Sequence, residues 1–145
     1  MQVHTGPHFN ALQQPNFDQN RRDVGDQCVL WEGSTSKLFP DAATIEEFGD
    51  SEFAIAFARI ECHYFMHNAF FETDNYLIEN VGKIRNIPAI MVQGRYDVVC
   101  PIMSAWELHR AWPEAELLIT PDAGHSASEP GNISALVEAT DRFRE

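Results

Sequence analysis

The sequence predicts an α/β protein whose second half is a strand–helix–strand–helix unit of a parallel sheet, preceded by a helical region. Three observations carry this reading. Ala89 to Gln93 is a short, continuous apolar run of the kind found in parallel strands buried on both faces. Glu116 to Thr120 (ELLIT) is a second such run, and a segment with helical spacing follows each, as in the right-handed crossover unit of α/β folds. Upstream of Pro88 the apolar residues recur instead at three and four positions, as on helices that bury one face. Two parallel strands make only a fragment of a sheet, because such sheets cover both faces and carry more strands. Either residues 1–26 contribute unexpected strands or a large part of the parent fold is expected to be missing, and an open sheet edge predicts poor solubility.

Residues 1–26 are polar, rich in Asn, Gln and Asp, and show no period; they form an unassigned leader, expected to be loose. A helical region is expected over 27–86 and the parallel unit over 87–145. The stretch VLWEGSTSKLFPD is mixed and turn-rich, after which Asp41 caps a short helix through Phe48 that stops at Gly49. Asp50 or Ser51 opens the best helix of the first half, with Phe53, Ala56, Phe57, Ile60, Tyr64 and Met66 on its apolar face. NYLIENVGKIRN reads as another helix, capped by Asp74 or Asn75 and burying Leu77, Ile78, Val81 and Ile84. Pro101 suits the first turn of the crossover helix, whose inner side is Ala105, Leu108, Ala111 and Trp112. The last helix begins at an N-cap Asn132 and turns Ile133, Leu136, Val137, Thr140 and Phe143 inward.

The chain has 145 residues, enough for one domain with a real core, and a formal net charge of −12 from 22 acidic against 10 basic residues. That balance disfavours nucleic acid and anionic membranes and favours a cationic ligand. Three cysteines at irregular positions (Cys28, Cys62, Cys100) argue against a disulfide framework and read as reduced core thiols in a reducing compartment. The N-terminus has no apolar signal core, and no run approaches the roughly 18 apolar residues of a membrane span. The expectation is a cytoplasmic protein with no cofactor.

In open α/β sheets, ligands bind outside the carboxyl ends of the strands. Asp97, in GRYD, lies in the loop after the first strand, and His125, in AGHS, in the loop after the second. An acid there accepts the imidazole Nδ1 proton, fixes the tautomer, and stabilises the imidazolium formed when Nε2 takes a proton from a nucleophile. Acid before histidine is also the chain order of hydrolases with the Ser, Asp/Glu, His triad. His63 and His67 stand at i, i+4, as in the zinc motif HExxH, but Tyr64 occupies the place of its glutamate and no third ligand is evident, so no metal is expected.

The run from Ile87 to Phe143 closely resembles the C-terminal part of proline iminopeptidases, serine peptidases of the α/β-hydrolase fold, and VLWEGSTSKL and FAIAFARIECHYF resemble their helical cap. The resemblance covers about Val29 to Phe143. It implies a partial α/β-hydrolase fold and triad roles for Asp97 and His125. It also implies that Glu32 of WEG and Glu61 of ARIE are ligands of the substrate's N-terminal amine, with peptides or amides carrying N-terminal proline as partners. The family usually has Asn where this chain has Cys62, which alters a neighbour of Glu61 and leaves the carboxylate in place. On its own chemistry, Glu61 interrupts an apolar face between Ile60 and Tyr64, and a half-buried carboxylate is costly without a positive partner such as a protonated amine.

The nucleophile of such hydrolases sits in Gly-x-Ser-x-Gly, a strained elbow that exposes Oγ. None of the seven serines here lies in that pentapeptide or follows an apolar strand between glycines. Cys100 is only three residues beyond Asp97, and Cys62 lies on a helix beside Glu61, so neither is expected to replace the serine. The chain alone is therefore expected to be inactive.

Overall fold

The structure, a computed structural model, describes residues 29–144. The leader expected over residues 1–26 and Cys28 lie outside them. The described residues form two compact units, one made of 29–34 and 41–74, the other of 35–40 and 75–144.

Residues 29–35 are helical (α1), the first six of them in the first unit, and residues 36–39, in the second unit, are bends, where a turn-rich segment was expected. Asp41 accepts a hydrogen bond from the Thr44 amide at 2.9 Å and starts α2 (Ala42–Phe48), which ends at Gly49 as the sequence indicates. Asp50 likewise caps α3 (Ser51–Met66), accepting from the Phe53 amide at 3.0 Å. The buried stripe of α3 is not the expected one. Ala54, Ala58 and Cys62, spaced at i, i+4, i+8, pack with Val29 in a small core, while Ile60 and Tyr64 are exposed. Small side chains allow the helices to approach closely, and the larger rings of Phe48, Phe53 and Phe57 gather beside them, with centroids 5.4–5.8 Å apart. Gly33 serves the same close approach, since a Cβ there would lie 2.7 Å from the Phe48 side chain.

In the second unit, the helix expected over NYLIENVGKIRN is broken into α4 (Tyr76–Glu79) and a 3-10 turn (Val81–Lys83). The Asn80 side chain donates to the Tyr76 carbonyl at 2.7 Å, offering the backbone a local alternative to the helical ladder, and Gly82 follows. Val81 alone of the four expected inner residues is buried. It joins Trp112 and Ala115 in the core of this unit, with Met91, Leu108 and Ala111 packed against it.

Strands β1 (Ile90–Gly94) and β2 (Glu116–Thr120) pair in parallel, Ile90 opposite Glu116 through Gly94 opposite Thr120. Among the described residues this sheet has two strands. Strand residues expected to be buried on both faces are consequently half-buried, and Ile119 is open. The crossover helix α5 (Ile102–Ala111) starts after Pro101 and lies on both strands. The last helix, α6 (Pro130–Asp141), begins earlier than expected, with Glu129 at the N-cap and Pro130 in the first turn. Its buried residues are Asn132 and Ala139, whereas Ile133, Leu136, Val137 and Phe143, expected inside, are exposed. The face turned to the sheet is thus small and polar at its start, and the larger apolar stripe points away from it.

Candidate active site

The two strands end at the same edge, and the loops that follow them are drawn together by backbone alone. Arg95 donates its amide to the Thr120 carbonyl at 2.9 Å and Tyr96 donates to Ala123 at 3.0 Å, extending the parallel ladder past the strand ends. Gly94 sits against the carbonyl of Gly124, where any Cβ would collide. This contact places the turn carrying Asp97 beside the loop carrying His125.

His125 Nδ1 lies 3.1 Å from Asp97 Oδ2, so the pair anticipated from the sequence is brought together. The Asp97 side chain is 7% exposed and that of His125 34%, which leaves the acid covered and the imidazole open. A carboxylate oxygen accepts, so Nδ1 carries the proton in this contact and Nε2 holds its lone pair for another group. Asp97 is fixed from two further sides. Oδ1 accepts from the Cys100 amide at 2.7 Å, closing a tight turn, and Oδ2 accepts from Gln93 Nε2 at 3.1 Å.

The His125 loop is pinned by residues that the sequence reading did not single out for this task. Buried Glu129 accepts from the Gly124 amide at 2.6 Å through Oε1 and from the Leu38 amide at 2.9 Å through Oε2. Asn132, expected as a helix cap, instead donates to the carbonyls of Gly124 and Ser126 at 3.2 and 2.9 Å and accepts from Thr120 Oγ1 at 2.6 Å. The Ser126 amide donates to Ser36 at 2.7 Å. Backbone groups on both sides of His125 are therefore satisfied by buried partners. The readable signals were a glutamate directly before a helix-starting proline and a glutamine inside the apolar run IMVQG.

Glu32 and Glu61 belong to the first unit, on α1 and α3. Burial, reinforced by the charge of Glu32, pushes the Glu61 carboxyl up to about 7. The two acids thus form a half-covered pair that resists carrying two negative charges and gains from a cation. Cys62, next to Glu61, is buried in the small core, whereas Cys100 is exposed beside the Asp97 turn and is not the core thiol anticipated. The rings of His63 and His67 lie tilted to one another with centroids 4.6 Å apart, and His67 Nδ1 is directed at the His63 carbonyl at 2.7 Å. The described residues gather no group of three His, Cys, Asp or Glu side chains fit for a metal ion, and none of their helices is long and apolar enough to cross a membrane.

A parallel strand pair with an acid and then a histidine at its carboxyl edge matches the chain order of the α/β hydrolases, and comparison with known proteins agrees with that class. The chain belongs to the α/β-hydrolase family described as TAP-like protein, whose profile matches residues 53–143. It is similar to the probable proline iminopeptidase of Leptolyngbya boryana, 60% identical over 114 residues, which is 79% of this chain and 36% of that protein. The proline iminopeptidases of Xylella fastidiosa strain 9a5c and Arabidopsis thaliana are 57% and 54% identical over the same share of this chain, covering 36% and 30% of their own lengths. The chain thus spans about a third of the curated relatives it matches.

Proposed function

We propose that this chain carries the acid–histidine pair and the amine-recognition pair of a serine hydrolase that releases N-terminal proline from peptides. The observation that carries the reading is the 3.1 Å contact of His125 Nδ1 with Asp97 Oδ2 at the common edge of two parallel strands. In this reading His125 takes the proton of a serine hydroxyl and returns it to the leaving amine, Asp97 holds the imidazole, and Glu32 with Glu61 binds the protonated prolyl nitrogen. The names of the similar proteins support the substrate class.

The 145 residues contain no Gly-x-Ser-x-Gly elbow. Loss of a triad member costs several orders of magnitude in rate, so the chain by itself is expected not to turn over substrate. Incubation of the purified chain with a prolyl arylamide tests this. Release of the arylamine that His125→Ala abolishes would show that a nucleophile is present after all.

A second reading is favoured by the two-stranded sheet and the exposed stripe Ile133, Leu136 and Val137 of α6. The chain then acts as one half of a complemented hydrolase, with further strands and the serine supplied by another polypeptide. Co-expression with an N-terminal hydrolase half is expected to give labelling by a serine-directed fluorophosphonate that depends on His125. Absence of labelling in a complex that does form would exclude it.

A further inference from the structure

Gln93 is a polar residue in a strand that is otherwise apolar, Ile90–Gly94. Its Nε2 lies 3.1 Å from Asp97 Oδ2, 3.2 Å from the Cys100 carbonyl and 3.3 Å from the Gly94 carbonyl. All three are acceptors. Only the NH2 end of a carboxamide satisfies such a set, so the surroundings fix which way the side chain points. The turn amide of Cys100 holds Asp97 through Oδ1 and makes no contact with Oδ2. Gln93 supplies the second point of attachment, on the same oxygen that receives the His125 proton.

We propose that Gln93 is a positioning residue, holding Asp97 Oδ2 on the side from which His125 Nδ1 donates and thereby setting the imidazole tautomer. The assignment rests on the reading of Asp97 and His125 as an acid–histidine pair. Gln93 acts through Asp97 and touches no substrate. A strand residue thus does for the acid what Glu129 and Asn132 do for the histidine loop.

Long-range proton–nitrogen correlation spectra of the 15N-labelled full chain, recorded across a pH series, read the tautomer directly. In the unaltered chain the Nδ1–H, Nε2-lone-pair form of His125 is expected to dominate. Gln93→Met keeps the length and removes the donor, and Gln93→Asn keeps the amide but falls short of Asp97. Both are expected to shift the His125 nitrogens toward the Nε2–H form with little change in thermal midpoint. Retention of the Nδ1–H pattern in both variants overturns the assignment, as does a loss of stability that leaves the tautomer unmoved. Asp97→Ala separates the two layers. If it too leaves the Nδ1–H form intact, the acid–histidine reading itself fails; if it abolishes that form while the Gln93 variants retain it, only the role of Gln93 falls.

Discussion

Gly94 and Gly124 meet backbone to backbone, the α-carbon of one against the carbonyl of the other, in a gap that no side chain shares. The contact sets the spacing of the two loops from which Asp97 and His125 project. Gly94→Ala is therefore expected to destabilise the second unit by roughly 2–4 kcal/mol, because the Cβ must push backbone aside. Urea unfolding followed by circular dichroism measures the loss, and an effect below about 0.5 kcal/mol would mean that the loops part easily.

Asn132 bonds the carbonyls of Gly124 and Ser126 with one amide group. Replacing it with Ala leaves those buried carbonyls and the Thr120 hydroxyl short of partners, at a cost of about 2–3 kcal/mol. Amide exchange of residues 124–128 is expected to accelerate more than that of the strands. Uniform acceleration would show that Asn132 contributes only to the global fold.

Glu61 makes stability depend on pH in a direction opposite to most carboxylates. Its folded value, about 7, lies above the ordinary 4.5, so the folded state binds the proton more tightly than the unfolded one. The contribution is full below about pH 4.5, declines between there and about 7, and is lost above. Because the group is half-covered and screened, the decline attributable to it is on the order of 1–2 kcal/mol. Glu61→Gln is expected to flatten that stretch of the stability profile, which thermal melts at a series of pH values would reveal.

In the proposed role of Glu61 as an amine ligand, the same carboxyl would couple amine binding to proton release. A cationic prolyl amine favours ionised Glu61, so affinity for a prolyl peptide is expected to rise roughly tenfold between pH 6 and pH 8, levelling off as the amine itself starts to lose its proton. Calorimetry in buffers of different ionisation enthalpy should show release of most of one proton at pH 6. In Glu61→Gln the release is absent and binding is about 10–100-fold weaker. Equal affinity of the two proteins would remove Glu61 from amine recognition.

Much of the fold was legible from local chemistry. Asp41 and Asp50 cap the helices they announce, ELLIT is a strand to the residue, and the positions after the two strands hold the acid and the histidine. The misplaced inner faces share one cause, which is that periodicity identifies apolar stripes without saying what covers them. Ile133, Leu136 and Val137 have the spacing of an inner face, yet a two-stranded sheet is covered by the narrower face of Asn132 and Ala139. On α3 the small residues Ala54, Ala58 and Cys62 won the buried side because close helix contact favours them over bulk. Gln93, Glu129 and Asn132 act through contacts between positions up to 91 residues apart, which no window along the chain captures.

The two faces of α6 also separate what can be watched from what must be left alone. Asn132 anchors the histidine loop from one side of the helix, and Val137 stands exposed on the other. A fluorophore carried at position 137 would report the arrival of any polypeptide on that surface through a change in its emission. The imidazole, held from the far side, would not sense the dye.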